Sequence, residues 1–467
     1  MTSILTSPIK KKQYLLIIED CFIIFSAILL SYTFRVGVYE RRELLLVGER
    51  LSWIVFPVII IHLIVFYVFE LYNIEKRFLK LRGFLTIVLS VGLAVGLLTG
   101  LFYFFPGYRL GRVVLTTHIP VVILGLFLWR LFFFRALHKE KGENNLLLIG
   151  GEDETRLLVE ELQRYPVKEY NIIGIMSEDE GNPGKTMAGI PIISKHEDIE
   201  RLVEERNIET IVISSNSSPS EGLVRSALNM KFKGIAVYDV DTFYKNLTGK
   251  VPIFHIKDFW LLFSAGIGAF GRPYYKRVKR LMDIFFSSIF LFLASPILGL
   301  CALAIKLESK GPVFFKQERL GLNQRPFTLI KFRTMVEDAE AKTGPMRAKE
   351  NDDRVTRIGK FLRKTRIDEI PQFINVLKGD MSFVGPRPIR KYFADKYSKE
   401  IPYYPLRFTV KPGLTGWAQT RFGYSETDED QMEKSQYDLF YIQEASLFLD
   451  LLIILKTIQT VLFRPSQ

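Results

Sequence analysis

The sequence predicts a membrane protein of mixed α and α/β class, and three observations support this. Four apolar runs, each near the roughly 20 residues that a helix needs to cross a bilayer, lie within residues 1–140. Short apolar strands alternate with amphipathic helices over 144–262. A long apolar run and a basic, Pro- and Gly-rich segment fill 272–467. We therefore expect a four-helix transmembrane bundle, a Rossmann-like parallel α/β domain, and a re-entrant helix with an α-rich C-terminal domain.

The composition fits membrane segments joined to soluble domains. Of the 467 residues, 48% are hydrophobic and 24% are charged, and the formal net charge is +13. Such a basic excess suits nucleic acid, an anionic membrane surface or a phosphate-rich substrate. The apolar runs beside the basic stretches favour the last two, so we expect no nucleic-acid partner. Two cysteines in apolar runs and five scattered histidines predict neither a disulfide framework nor a transition-metal site.

The four apolar runs are predicted to form the transmembrane bundle. They cover approximately Tyr14–Phe34, Trp53–Leu71, Phe84–Phe105 and Val113–Phe134. The first run is long and has no small-residue cleavage site, so it is interpreted as a retained span rather than a signal peptide. The Lys and Arg residues that flank the runs place both ends of the bundle in the cytoplasm.

The α/β region contains the strand patterns NLLLIGG, NIIGIMS, ETIVISS and GIAVYDV, separated by helical patterns. The first strand ends in Gly150-Gly151, as in many dinucleotide sites. Three carboxylates follow at 152–154, where they would repel a pyrophosphate, and the full glycine pattern is absent. We therefore expect a structural or dimerising role for this domain.

The apolar run from Leu281 to Ile305 is long enough for a fifth span. Ser295-Pro296 interrupts it near the middle, where proline removes a helix hydrogen bond and introduces a kink. Both flanks are basic, and a fifth crossing would place the rest of the chain outside the cytoplasm. We expect a re-entrant helix-break-helix that enters and leaves on the cytoplasmic face, with a proline-kinked span as the alternative.

The last apolar stretch, Leu447–Phe463, is interrupted by three polar residues, Asp450, Lys456 and Gln459. A helix with polar residues on one face and apolar residues on the other lies in the membrane interface rather than crossing it. The stretch therefore predicts an interfacial amphipathic helix.

The segment RKTRIDEIPQFINVLKGDMSFVGPRP carries most of the chemical information. Ile370, Phe373, Ile374 and Leu377 recur at helical spacing, and Gly379 provides a stop. Asp368 then falls at or near the N-cap, and Glu369 falls just inside the helix. Capping alone is a sufficient reason for an aspartate at such a position.

The neighbours of this acidic pair point to phosphate chemistry. Arg363, Lys364 and Arg366 precede it, and cations and a helix N-terminus favour ionised carboxylates. The same groups would hold a diphosphate, which suits phosphoryl transfer. A second carboxylate could hold Mg²⁺, which binds one or two carboxylates together with substrate oxygens. The loops GPRP (385–388) and KPGLTGWAQ (411–419) lie in the same basic region.

Several ordered motifs resemble those of a known family. KLESKGPVFFKQERLGLNQRPFTLIKFRTM, RIDEIPQ, GDMSFVGPRP and KPGLTGWAQ are similar to the bacterial sugar transferase family, the monotopic phosphoglycosyl transferases, from about Tyr274 to the C-terminus. The layout resembles the long members, undecaprenyl-phosphate glucose or galactose phosphotransferases. This implies transfer of hexose-1-phosphate from a UDP-sugar to undecaprenyl (polyprenyl) phosphate in the bacterial inner membrane. The UMP-releasing step would initiate exopolysaccharide, capsule or O-antigen synthesis on the cytoplasmic face.

The resemblance also implies roles for individual residues. Asp368 would be the nucleophile that forms an aspartyl phosphosugar intermediate, and Glu369 would ligate Mg²⁺. Ser295-Pro296 would be the re-entrant break. The residues implied in substrate binding are Arg363, Arg387, Lys331, Arg333, Pro386 and Pro388. One departure is Asn323-Gln324-Arg325, where the family often shows a glycine-containing turn.

Two other functions stay open at this point. A membrane-anchored nucleotide-sugar dehydratase could share the front end, and the chain contains YDVDTFYK (238–245), but the NAD fingerprint is missing. A non-catalytic scaffold of polysaccharide assembly would share the whole architecture. The sequence leaves the sugar undetermined, and by analogy we expect a homodimer.

Overall fold

The computed structural model is a mixed helical and α/β protein. It describes residues 8–39, 44–69, 71–72, 81–104, 112–139, 144–150, 152–164, 170–176, 186–193, 199–214, 221–253, 273–336, 354–422 and 427–463. The predicted domain limits at 140, 262 and 272 lie outside these residues, as does Gly151. One compact unit contains Met1–Leu146, Leu162–Ile173 and Ile199–Thr210, and the other contains Leu147–Glu161, Gly174–Asp198 and Ile211–Gln467.

The first unit contains four long apolar helices: α1 (Pro8–Tyr39), α2 (Leu44–Val68), α3 (Leu81–Phe104) and α4 (Arg112–Lys139). α1 packs against α2 and α4, and α3 packs against the same two helices, around one shared apolar core. By length and composition, Gln13–Phe34, Gly83–Phe104 and Val113–Phe133 could each cross a membrane, while Ile54–Val68 is a shorter apolar helix.

A charged pair lies inside this helical core. The guanidinium of Arg130 donates to both carboxylate oxygens of Asp20, at 3.0 and 2.8 Å, and both side chains are fully buried. The ring of Tyr72 lies 5.9 Å from the guanidinium carbon. The two-pronged geometry supplies each oxygen with a donor, as a buried ion pair requires.

The α/β region forms one six-stranded sheet of order β3-β4-β2-β1-β5-β6. β4 runs parallel to β2, while the short edge strand β3 is antiparallel to β4, which the prediction of a purely parallel sheet did not include. The strands are β1 (Asn144–Ile149), β2 (Tyr170–Met176), β3 (Thr186–Met187), β4 (Ile190–Ile193), β5 (Ile208–Ile213) and β6 (Ala236–Asp239). The helices are α5 (Glu152–Arg164), α6 (Ile199–Glu205), α7 (Glu221–Phe232) and α8 (Val240–Thr248).

The C-terminal region begins with α9 (Pro273–Glu308) and a hairpin of β7 (Phe314–Leu320) and β8 (Pro326–Phe332). A second, parallel pair joins β9 (Ser382–Val384) to β10 (Gly413–Thr415). The remaining helices are α10 (Arg357–Lys364), α11 (Phe373–Lys378), α12 (Lys391–Glu400), α13 (Trp417–Arg421), α14 (Asp428–Glu444) and α15 (Leu447–Phe463). The unusual residues Asn323 and Gln324 turn the hairpin with φ of +53° and +60°, the conformation that glycine adopts most easily.

The expected break in α9 is absent. The helix continues through Ser295 and Pro296, so the prediction of two separate helices is wrong. Proline removes only one backbone donor, and a helix absorbs this as a local distortion when its other hydrogen bonds remain. The hydroxyl of Ser295 donates to the carbonyl of Phe292 at 2.7 Å, within the preceding turn.

Both ends of α9 nevertheless form hydrogen bonds with the part of the chain that follows this helix. Near its start, Arg280 donates to the carbonyls of Val376 and Leu377 at 2.5 and 2.6 Å. At its end, Glu308 accepts from the backbone N–H of Ile358 at 3.1 Å. Between these anchors α9 exposes large apolar side chains: Phe285, Phe292, Leu293, Leu300 and Leu303.

α15 is oriented differently from the amphipathic helix that the sequence suggested. Asp450 points inward, is 2% exposed, and accepts hydrogen bonds from Tyr275, Lys279 and Tyr441 at 2.7–3.0 Å. The prediction that Asp450 lies on a solvated face is therefore wrong, because these three donors compensate its burial. The outward face carries apolar residues instead: Phe448, Leu451, Ile458 and Val461.

Candidate active site

Asp368 and Glu369 lie in a short 3₁₀ helix, Ile367–Gln372, which leads directly into α11. Arg366 occupies the N-cap position with φ of +58°, and no side chain caps the helix there. Asp368 thus lies near the N-cap, as predicted, but two residues after it, because the left-handed turn at Arg366 starts the helix earlier. The predicted stop is confirmed, since Gly379 ends α11 with φ of +94°.

The carboxyl group of Asp368 is buried. Asp368 is 7% exposed, and no hydrogen bond from the described residues reaches its side chain. Burial first, and the neighbouring charge of Glu369 second, raise the pKa of Asp368 to about 6. The nearby cations favour the ionised form, as expected, but Lys331, Arg363 and Arg387 only moderate the rise in the pKa of Asp368.

Glu369 has the opposite electrostatic character. Arg387 donates to its Oε1 at 2.6 Å, and Lys331 adds a second positive charge. Burial alone would raise the pKa of Glu369, but the charges of Arg387 and Lys331 outweigh it and bring the pKa to about 2. Two adjacent carboxyl groups thus have divergent pKa values, the pattern that separates chemical roles in many active sites.

The predicted phosphate-binding residues fall into two groups. Lys331 and Arg387 lie within electrostatic reach of both carboxylates, and burial lowers the pKa of Lys331. Arg363 acts on Asp368 by its charge while its Nε donates to the hydroxyl of Thr334 at 2.9 Å. Arg333 differs.

The guanidinium of Arg333 donates to the carbonyls of Lys310 and Ser309 at 2.7 and 2.8 Å, beyond the end of α9. It is 7% exposed. These contacts give Arg333 a structural role, and its assignment as a phosphate neighbour stays a prediction.

The loops with Gly385–Pro388 and Lys411–Gln419 form a single structure. The backbone N–H of Gly385 donates to Thr415 at 2.9 Å, and that of Gly413 donates to the carbonyl of Pro386 at 2.8 Å. A Cβ at Gly385, Gly413 or Gly416 would collide with the opposite loop. Only glycine permits this approach, which fixes the backbone on both sides of Arg387 and places Pro386 and Pro388 around it.

One buried pair behind Arg387 was not identified from the sequence. Arg407 donates to the carbonyl of Arg387 at 3.0 Å and forms an ion pair with Asp438 at 2.9 Å, with both side chains almost fully buried. Its guanidinium also donates to the hydroxyl of Tyr404 and lies over that ring. No local pattern marks this pair, because its members are separated by about thirty residues and meet only in the folded chain.

The acidic pair fits a Mg²⁺ ion with few protein ligands. No cluster of three or more His, Cys, Asp or Glu side chains occurs in the part of the chain that the structure describes, so a closed all-protein metal cage is not found there. Mg²⁺ commonly takes one or two carboxylates and completes its shell with water and phosphate oxygens. An ionised Glu369 next to Asp368, whose side chain accepts no hydrogen bond from the described residues, offers such a partial shell.

The segment YDVDTFYK has structural contacts. Lys245 forms an ion pair with Glu444 at 2.7 Å, and the hydroxyl of Tyr244 donates to Glu161 at 3.2 Å. Both side chains are largely buried. These contacts give Tyr244 and Lys245 a structural role.

Comparison with known proteins identifies two regions. Residues 274–464 match the family model described as "Bacterial sugar transferase", and 67–228 match one described as "CoA-binding domain". The UDP-N-acetylgalactosamine-undecaprenyl-phosphate N-acetylgalactosaminephosphotransferase of Aeromonas hydrophila is 45% identical over 228 residues, 49% of this chain and 52% of that one. The match thus spans about half the length of that relative.

Two shorter relatives are covered more fully. The UDP-glucose:undecaprenyl-phosphate glucose-1-phosphate transferase of Caulobacter vibrioides is 47% identical over 186 residues, which make up 39% of this chain and 69% of that one. An uncharacterized sugar transferase of Bacillus subtilis is 40% identical over 186 residues, 40% of this chain and 87% of that one.

Proposed function

Because this chain belongs to the bacterial sugar transferase family, we propose that it transfers a sugar-1-phosphate from a UDP-sugar to a polyprenyl phosphate and releases UMP. The observation that carries the proposal is the pair of adjacent carboxyl groups with different environments. Asp368 is buried with a raised pKa and accepts no hydrogen bond from the part of the chain that the structure describes, whereas Glu369 is held ionised by Arg387 and Lys331. Such a division suits a nucleophile beside a cation-binding group.

The reaction divides into two displacements. In the first, a carboxylate oxygen of Asp368 attacks the β-phosphorus of the UDP-sugar, the bond to the bridging oxygen breaks, and UMP leaves. In the second, a phosphate oxygen of the lipid attacks the same phosphorus and releases the Asp368 carboxylate with the sugar-diphospholipid. Covalent catalysis lets the soluble donor and the membrane-bound acceptor use one site in turn.

Charge neutralisation is the main task of the surrounding residues. Arg387 and Lys331 would stabilise the negative charge on the diphosphate, since phosphoryl transfer depends on positioning and electrostatics. Mg²⁺, when bound by Glu369, would polarise phosphate oxygens. Because its side chain is half exposed, Arg387 would be able to exchange its hydrogen bond to Glu369 for one to a phosphate of the donor.

The anchoring of α9 supports a re-entrant topology. A straight crossing would carry its two ends to opposite sides of a bilayer about 30 Å thick, yet both ends contact the same folded region. We propose that α9 bends at Pro296 without a break in the helix, so that its exposed apolar middle dips into the cytoplasmic leaflet and returns. In this proposal the four N-terminal helices span the bacterial inner membrane, the α/β region is Rossmann-like, and the protein is a homodimer that initiates polysaccharide synthesis.

A half-reaction assay tests the activity. Purified full-length protein is mixed with UDP-glucose, UDP-galactose or UDP-N-acetylgalactosamine and Mg²⁺, without lipid. We expect about one UMP per active chain and a sugar-phosphate adduct on Asp368 with at least one donor, and no UMP burst with Asp368→Asn. Turnover by Asp368→Asn at the wild-type rate, once undecaprenyl phosphate is added, would refute the nucleophile assignment.

A further inference from the structure

The segment from Asp239 to Ile253, at the end of the α/β region, makes close contacts with the sugar transferase region. Both lie in the same compact unit. The segment contains α8, which begins at its N-cap Asp239 and ends at Gly249 with φ of +70°. The next residues, Lys250 and Val251, are almost fully buried.

The first set of contacts lies on one face of α14. Lys250 forms an ion pair with Glu433 at 2.6 Å, and its ammonium lies 5.5 Å from the ring centre of Tyr437. Lys245 pairs with Glu444 at 2.7 Å. These three α14 residues recur at a spacing that places them on one side of a helix.

Lys250 connects two regions. Besides Glu433 on α14, it contacts Glu161 on α5 at 3.4 Å, and its ammonium is 5% exposed. The hydrogen bond and charges of these acidic partners outweigh burial and raise the pKa of Lys250. The ammonium is therefore charged at neutral pH, and its removal would leave two carboxylates without their shared cation.

A second contact reaches the paired loops of the proposed active site. The indole N–H of Trp417 donates to the carbonyl of Gly249 at 2.9 Å, and its ring stacks on Phe440 of α14 at 5.6 Å. Trp417 follows Gly416, which is packed so closely on Gly385 that no Cβ fits. The anchored indole thus restrains the loop that carries Arg387.

A neighbouring face of α14, about a quarter turn around the helix, reaches Arg387 through Arg407. Asp438 pairs with Arg407, and Arg407 donates to the carbonyl of Arg387. Tyr441, one turn further along, donates to the carbonyl of Val384, immediately before Gly385. A helix is rigid over this length, so its two faces move together.

We propose that Asp239–Ile253 is a positioning clamp: it holds α14 and Trp417, and these two fix the loop from which Arg387 reaches Glu369. Trp417 and Lys250 are then positioning residues rather than catalytic residues. The inference rests on the proposed function, because it assumes that Arg387 contacts the UDP-sugar diphosphate. According to this inference, the α/β region influences how tightly the UDP-sugar binds, through α14 and Trp417.

The test compares Michaelis constants in the full-length protein. Trp417→Phe keeps an aromatic ring against Phe440 but removes the N–H that reaches Gly249, and Lys250→Met keeps the length of the stem but removes the charge. With the best donor of the panel above, we expect the KM for UDP-sugar to rise about tenfold in each variant. The KM for undecaprenyl phosphate should change by less than twofold.

Two controls separate positioning from general damage. Arg201→Met removes an exposed cation that pairs with Glu205 on α6, and it should leave both constants unchanged. In the background Arg387→Ala, Trp417→Phe should cause no further rise in the KM for UDP-sugar, because the group that it positions is gone.

Three results would overturn the clamp: an unchanged KM for UDP-sugar in Trp417→Phe, a fall in kcat alone, or independent effects of the two substitutions in the double variant. If Lys250→Met does not fold, Trp417→Phe decides. Failure of the proposed function is a different result, since it requires that wild-type protein releases no UMP.

Discussion

Two arginine–carboxylate pairs show how differently the two compact units use the same chemistry. In the N-terminal helices, Arg130 binds both oxygens of Asp20 and neither side chain is exposed. In the sugar transferase region, Arg387 binds one oxygen of Glu369, and half of the arginine side chain faces solvent. The first pair is joined by two hydrogen bonds in the protein interior, whereas the second is joined by one at the edge of the solvent.

The difference indicates which pair can take part in a reaction. A fully buried pair with two hydrogen bonds is costly to separate, so it serves structure. A single hydrogen bond from a half-exposed arginine is easily exchanged for a phosphate or a metal. Solvent exposure, rather than the residue types, distinguishes the pair at the candidate site from the pair in the core.

The largest expected effect breaks the buried pair. Arg130→Met should lower the free energy of unfolding by about 3–5 kcal/mol, because Asp20 would remain charged or polar in an apolar core. Thermal unfolding in detergent measures this loss. The double variant Asp20→Leu, Arg130→Met should recover most of it, and a double variant as unstable as the single one would contradict the interpretation.

The exposed pair should respond in activity rather than stability. Arg387→Lys keeps the charge but loses the planar fork, so we expect kcat/KM for the UDP-sugar to fall about a hundredfold. The melting temperature should stay within about 2 °C of wild type, because the side chain is half exposed. A melting temperature as low as that of Arg130→Met would remove the distinction between the pairs.

The pH dependence of the first half-reaction sharpens the same comparison. The nucleophile reacts as a carboxylate, and burial and Glu369 raise the pKa of Asp368 to about 6. The rate should therefore be constant well above pH 6 and fall about tenfold per unit below it. Higher Mg²⁺ should move this limb to lower pH, since a nearby cation favours the ionised form. Rapid-quench measurements of UMP between pH 4.5 and 8 provide the test.

The smallest expected effect concerns only the backbone near the site. Gly379 ends α11 with φ of +94°, while a Cβ there would meet only side-chain ends at ordinary contact distance. Gly379→Ala should cost about 1 kcal/mol of stability from backbone strain. KM and kcat should be unchanged, and a large kinetic effect would show that this turn contributes to the site.

The sequence predicted local features better than distant contacts. The spacing of Ile370 and Phe373 and the stop at Gly379 gave the helix after the acidic pair, and the structure confirms that helix. The sequence did not identify Arg366 as the residue at which the helix starts, because no sequence pattern requires a left-handed conformation there. Local spacing reports helical periodicity but not the conformation of single residues between helices.

Tertiary contacts account for the other errors. Asp450 was assigned to a polar surface because only its neighbours in sequence were visible, yet Tyr275 and Lys279, which bury it, lie far along the chain. Arg407 and Asp438 were missed for the same reason. The GPRP and KPGLTG loops were each recognised, but their contact through opposing glycines appears only in the fold.

The outward apolar faces of α9 and α15 have a practical consequence for handling the protein. Phe292 on α9 and Phe448 on α15 project away from the folded region, although these helices belong to the enzymatic part of the chain. A shortened protein that starts at α9 would keep both faces. It would still need detergent or nanodiscs for purification, so removing the four N-terminal helices is no route to a water-soluble enzyme.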